Sequence, residues 1–153
     1  MKLVRQNLNS SISQKLFYLL VLILFLRVDL VFQNNTPTGG DMGAHIVAID
    51  TFIKDFMPNF QINGWSNDWF AGYPLYYFYF PLPAIITFFL NLVFPFGIAF
   101  KIMVVLSIIF VVYSIEKLMR KTSNQFSIYG ASAGLFYVFT ESFTIYGGNL
   151  AST

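Results

Sequence analysis

Two apolar runs, 16–32 and 98–115, stand on either side of a stretch, 38–83, that is too polar to cross a bilayer. That alternation limits what the chain can become. The first run has 17 residues. At about 1.5 Å each they make a helix of roughly 25 Å, enough to span if the side chains at its ends snorkel. Composition agrees, because 56% of the chain is hydrophobic and only 10% is charged, less charge than a soluble domain needs to cover its surface. The absence of cysteine removes disulfides and thiolate metal sites, and a single histidine removes multi-histidine ones. A net charge of +2 is too small to indicate nucleic acid. The N-terminus is basic and leads into an apolar run, as in a signal peptide. The run is long, however, and no small-residue cleavage site follows it, so it reads as an uncleaved anchor.

Charge sets the orientation. Lys2, Arg5 and Lys15 place residues 1–15 in the cytoplasm as a tail, and the loop 33–83, with one lysine against four aspartates, falls outside. The segment 84–94 is apolar but bracketed by Pro81, Pro83 and Pro95. Eleven residues give about 16 Å of helix, roughly half of the hydrocarbon core, so it reads as a re-entrant or interfacial helix in the outer leaflet. The run 98–115 then crosses inward, and Lys117, Arg120 and Lys121 make 116–124 a cytoplasmic loop. The small-residue-rich run 125–146 returns outward as a third crossing, bringing Glu141 and 147–153 to the outer face. The expected fold is an all-α integral membrane protein. It has three transmembrane helices, a long extracytoplasmic first loop carrying an amphipathic surface helix, and a short outer-leaflet helix. Residues 147–153 stop without a cap or closing helix, which reads as a piece of a longer polytopic chain that continues beyond Thr153.

The loop concentrates the chemistry. The stretch 38–83 holds four of the seven acids, the only histidine and both tryptophans. Asp41 stands as an N-cap before a helical stripe of Ile46, Ile49, Phe52, Ile53 and Phe56, with Thr51, Lys54 and Asp55 opposite. The helix should stop near Met57, ahead of Pro58, and lie along the membrane surface. Residues 60–80 contain ten aromatic side chains in 21 positions, with turn signals at Asn63-Gly64 and Ser66-Asn67-Asp68. They read as a compact aromatic loop at the membrane–water interface.

Each candidate carries a functional and a plainer reading. Asp41 is either a general base or divalent-metal ligand, or a simple cap. His45, one turn on, either shares a proton or metal with Asp41 or sits satisfied at the interface. Asp68 is a second carboxylate or a turn residue. Trp65 and Trp69 stack on sugar or lipid, or belong to an interface belt. Lys101 holds a lipid phosphate or snorkels. Arg27 and Asp29 neutralise each other within the first run, reach a polar cavity, or pair at the membrane surface. Glu141 is an intramembrane acid of the kind that usually has a function.

The segments Gly39-Gly40-Asp41-Met42-Gly43-Ala44-His45, Gly64-Trp65-Ser66, Trp69-Phe70-Ala71-Gly72-Tyr73-Pro74 and Thr144-Ile145-Tyr146-Gly147-Gly148-Asn149 carry a resemblance over nearly the whole chain. In its order of basic tail, crossing, outer loop with an early acid, surface helix, Trp-rich turn, Gly-Tyr-Pro, Pro-x-Pro helix and crossing ending in basic residues, the chain resembles the N-terminal part of a GT-C type integral-membrane glycosyltransferase. More closely, it is similar to a family of bacterial membrane proteins labelled as related to 6-pyruvoyl-tetrahydropterin synthase. The label does not bring pterin chemistry with it, because the soluble synthase needs three zinc histidines and this chain has one. The GT-C resemblance implies transfer of a sugar from a polyprenyl-phosphate carrier on the outer face of the bacterial inner or plasma membrane. It implies that Asp41 activates the acceptor or binds a metal, although the Asp-x-Asp pattern is absent, since Met42 and Gly43 follow Asp41. It implies Lys101 for the carrier phosphate, and the residues themselves add His45, Asp68, Trp65, Trp69 and Glu141 as candidate substrate contacts. The donor brings its own leaving group, so a divalent metal is the one cofactor to consider. The implied partners are membrane lipid, the lipid-linked sugar and the rest of the chain. The alternative is a non-catalytic transporter or envelope-polysaccharide assembly factor, for which Arg27, Asp29 and Glu141 matter more than Asp41.

Overall fold

The computed structural model describes residues 16–123 except 18, 22, 25, 69 and 70, together with residues 130, 132 and 133. Trp69, Glu141, the tail 1–15, most of the run 125–146, and 147–153 lie outside the described residues. The described chain is mostly helical and divides into two units, Val31–Val104 and Met1–Leu30 with Val105–Ser152.

In the unit Met1–Leu30 with Val105–Ser152, the first apolar run does not continue as one helix. Helical backbone ends before Leu26 and Arg27, which form a turn, and resumes as the short helix α1, Val28–Val31. Arg27 has a left-handed backbone, φ 45°. The turn lets its side chain reach a neighbour. The guanidinium donates to both carboxylate oxygens of Asp29, Nε at 3.0 Å and Nη2 at 2.9 Å. Residues two apart on an α-helix do not face each other, so this two-pronged pair is compatible with the turn and not with continuous helix. The two charges neutralise each other, as one of the sequence readings had it.

The unit Val31–Val104 holds α2 (Met42–Thr51), α3 (Leu82–Asn91), a two-stranded antiparallel sheet and the start of α4 (Phe96–Ser123). The sheet corrects the all-α expectation. Strand β1, Gly64–Ser66, pairs with β2, Tyr73–Leu75, with Trp65 opposite Pro74. The residues read as turn signals at Asn63-Gly64 and Ser66 thus partly become strand, and the reversal lies between Ser66 and Tyr73. Gly72 makes the reversal close. Its φ is +100°, and a Cβ there would fall 2.3 Å from the indole Nε1 of Trp65.

The stripe on α2 was legible. Ile49, Phe52 and Phe56 are buried, with Ile46 and Ile53 packed against them. Leu75, Tyr76, Ala84, Phe100 and Met103 complete this core. Phe52 is wholly buried and meets Tyr76 edge-on at 5.5 Å. Burying such a side chain contributes about 1.5–3 kcal/mol. The helix gives out near Met57, as expected, but not as a regular α-helix. It widens into a π-helical stretch, Phe52–Phe56, then tightens through a 3-10 turn, Met57–Asn59, and ends with Phe60 at φ 54°. Pro58 supplies no N–H to continue an α-helix, and the freed groups find other partners. Asn59 Nδ2 donates to the Asp55 carbonyl and the Gln61 amide to that of Phe56. Thr51, expected on the outward side, is buried instead.

Helix α4 has 28 residues, so positions 116–123, expected as a loop, remain helical. No proline or glycine interrupts them, and Lys117 lies over the Tyr113 ring one turn back. Within α4, the 24 residues Phe96–Met119 are long and apolar enough to cross a membrane, with an 18-residue stretch of mean hydropathy 2.5. At about 1.5 Å per residue it measures about 36 Å, against a hydrocarbon core of about 30 Å. By contrast α3, with 10 residues, is about 15 Å long, which agrees with the half-span length read from the sequence.

Candidate functional site

Asp41 occupies the position before α2 with φ −89° and ψ 9°. Its carbonyl accepts from the amides of Ala44 and His45, which starts the helix. Its carboxylate, however, makes no capping hydrogen bond and stands exposed. The plain-cap reading requires that bond.

One turn further, His45 lines a cavity of about 510 Å³. Ala44, Ala48 and Ile49 share that wall, Tyr73, Leu75 and Tyr76 come from the second strand and the residue after it, Tyr79 and Phe80 from the loop into α3, and Pro83 from its first turn. The volume lies within the roughly 300–1,000 Å³ usual for small-molecule pockets. Among the described residues, no lysine, arginine or carboxylate lines it. Two alanines, one helical turn apart, leave the space that larger residues would fill. Burial raises the Tyr76 and Tyr73 hydroxyl pKa values, with Tyr73 adding to the effect on Tyr76 and Tyr79 to that on Tyr73. The phenols are therefore neutral hydrogen-bonding groups on an apolar wall.

Asp68 is placed elsewhere. Its Oδ2 accepts from the buried hydroxyls of Thr51 (2.5 Å) and Ser66 (3.3 Å), and it borders a second cleft with Ile46, Val47, Asp50, Thr51 and Phe96. Asp50 accepts from Lys54 at 2.6 Å, and this bond raises the lysine pKa. Trp65 is exposed and donates to the Asn67 side chain at 3.2 Å; it lines neither space. Lys101 donates to the Gln33 carbonyl at 2.6 Å and to the Asn35 side chain at 2.7 Å, so it ties the 33–35 turn to α4. Among the described residues no group of three or more carboxylates and histidines comes together to hold a metal.

Of the residues singled out in the sequence, the structure thus places His45 on the cavity wall, Asp41 one turn before it, and Asp68, Trp65 and Lys101 in other roles. The tyrosines at 73, 76 and 79 were read as part of an aromatic cluster that stacks on sugar or lipid or forms an interface belt, not as a cavity wall. The signal that could have found them is the pairing of small residues at 44 and 48 with an aromatic run soon after. No family model, no curated protein and no solved structure matches this chain.

Proposed function

We propose that this chain belongs to an integral-membrane glycosyltransferase that takes a sugar from a polyprenyl-phosphate carrier, with Asp41 as the base. In the reaction the Asp41 carboxylate accepts the proton of an acceptor hydroxyl. The hydroxyl oxygen bonds to the anomeric carbon, and the bond from that carbon to the carrier phosphate breaks, the phosphate leaving with the electron pair. The apolar cavity would receive the isoprene units next to the phosphate, with His45 at the phosphate end. A reactant held in a lipid plane beside a fixed carboxylate gains much of its rate from positioning.

The observation that carries this reading is the Asp41 carboxylate, left uncapped one helical turn before an apolar cavity. The apolar helix Phe96–Met119 and the basic residues Lys117, Arg120 and Lys121 after its middle support a membrane setting with that end of α4 in the cytoplasm. The test is sugar transfer from a defined lipid-linked donor by the full-length protein. Asp41→Asn is expected to abolish transfer while membrane insertion persists, and unchanged transfer overturns the role. Transport that depends on Glu141, with no transfer by the unaltered protein, would establish the non-catalytic alternative.

A further inference from the structure

The residues 77–82 project from the unit Val31–Val104 with almost no cover. Phe78 is 88% exposed and Phe80 82%, and Tyr77, Tyr79 and Leu82 are exposed as well. Leu92 and Val93, in the turn after α3, are also exposed. An isolated exposed apolar side chain is ordinary, but a run of adjacent ones marks a surface that is covered in use. The sequence says what covers this one. Between Asp68 and Lys101 there is no charged residue, and from Lys101 to Glu116 there is none again. The one charge, Lys101, is held by the Gln33 and Asn35 oxygens. This uncharged stretch runs without a break into Phe96–Met119, a helix whose length and hydropathy suit a bilayer. A protein partner would be expected to meet a polar rim. Tyrosine and phenylalanine alternating on a charge-free finger instead suit the boundary between headgroups and acyl chains.

We propose that residues 77–82 insert into one leaflet of the bilayer as an aromatic finger, with the 92–93 turn seated in the same leaflet. Tyr79 and Phe80 belong both to this finger and to the cavity wall. The cavity mouth is therefore in contact with lipid, and its ligand enters sideways from the leaflet. The seating stands independently of the glycosyltransferase reading; only the identity of the entering ligand depends on it.

The chain contains no cysteine, so single-cysteine variants carry one fluorophore each. The full-length protein with Phe78→Cys, Phe80→Cys or Val93→Cys, labelled with an environment-sensitive dye, is reconstituted into phosphatidylethanolamine–phosphatidylglycerol vesicles. Asp55→Cys on the exposed side of the π-helical stretch is the aqueous reference. Dye at 78, 80 and 93 is expected to lose emission to spin-labelled lipid and to resist aqueous iodide, and dye at 55 to behave in the opposite way. Loss of emission to iodide at 78 and 80 overturns the proposal. Protection from both quenchers also overturns it, because a second copy or another protein segment then covers the finger. Sugar transfer is measured separately on the same vesicles, so failure of the enzymatic reading leaves the quenching result intact.

Discussion

The Thr51 hydroxyl and the Asp68 carboxylate are joined across 17 positions of sequence, the first at the end of α2 and the second just beyond β1. The same hydroxyl oxygen lies 2.9 Å from the Val47 carbonyl, so its one proton is shared between the two acceptors. It thus holds the hairpin against the helix where the backbone changes from α to π. Thr51→Val keeps the shape and removes the hydroxyl. A hydrogen bond to a charged group is worth about 1.5–3 kcal/mol, and Asp68 is exposed enough for water to replace part of it. Thr51→Val should therefore lower stability by about 1–2 kcal/mol, and Thr51→Ser by less. Denaturant unfolding of the detergent-solubilised protein, followed by tryptophan fluorescence at Trp65, reads the difference. Equal stability of Thr51→Val and the parent would remove this bond from any structural role.

Gly97 and Gly43 should respond in opposite directions. A Cβ on residue 97 would lie 2.7 Å from the Asn35 carbonyl oxygen, against backbone that cannot rotate away. Gly97→Ala must push the 33–35 turn off α4 and stretch both Lys101 bonds, a loss of roughly 1–3 kcal/mol by analogy with overpacked cores. Gly43 lies within α2, and nothing stands within 4 Å of its added Cβ. Gly43→Ala should stabilise by about 0.5–1 kcal/mol through helix propensity alone. The thermal midpoints of the two variants in the same detergent should fall on opposite sides of the parent.

These examples also mark what was legible in the sequence. The buried stripe of Ile49, Phe52 and Phe56 follows from spacing, because a period of 3.6 residues is a local property. The long apolar helix containing 98–115 follows from hydropathy for the same reason. What was not legible depends on contacts between distant residues. Thr51 is turned inward by a carboxylate 17 residues away, and the β1–β2 pairing needs two three-residue strands that no periodicity announces. Lys101 has a free-looking sequence context, yet its ammonium reaches back 68 residues to the Gln33 carbonyl. The break at Leu26 and Arg27 lies between these cases. Both charges were visible, but their two-residue spacing signals a bent backbone only once they are known to pair.

Alkaline pH should weaken the fold through Tyr76. Burial against Phe52 raises its pKa above the ordinary value of 10.0. A raised folded-state pKa means that the folded form keeps the proton longer than the unfolded form. Below pH 10 both states are neutral and the contribution is complete; above it the unfolded chain ionises first, and stability falls as pH rises. Lys54 acts in the same direction, because its bond to Asp50 raises its pKa and is lost as the lysine deprotonates. Tyr76→Phe should flatten the alkaline decline between about pH 10 and 11.5 while leaving stability near pH 7 little changed. Unfolding midpoints measured across that range for parent and variant test it, and parallel curves would assign the decline to other groups.

Filling the cavity should separate ligand binding from chemistry. Ala48 lies on the wall between His45 and Ile49 and is only partly buried, so a larger side chain there has the cavity to enter. Ala48→Phe would occupy the space assigned to the isoprene units without touching the Asp41 carboxylate, which lies two turns earlier on the chain. Donor KM should then rise about tenfold, a loss of about 1.4 kcal/mol of binding, with kcat nearly unchanged at saturating donor. Asp41→Asn should show the reverse pattern, with kcat lost and donor KM preserved. Initial rates over a series of lipid-linked donor concentrations distinguish the two. If Ala48→Phe instead lowers kcat at constant KM, the cavity does not hold the donor, and the carrier must lie along another face of α2.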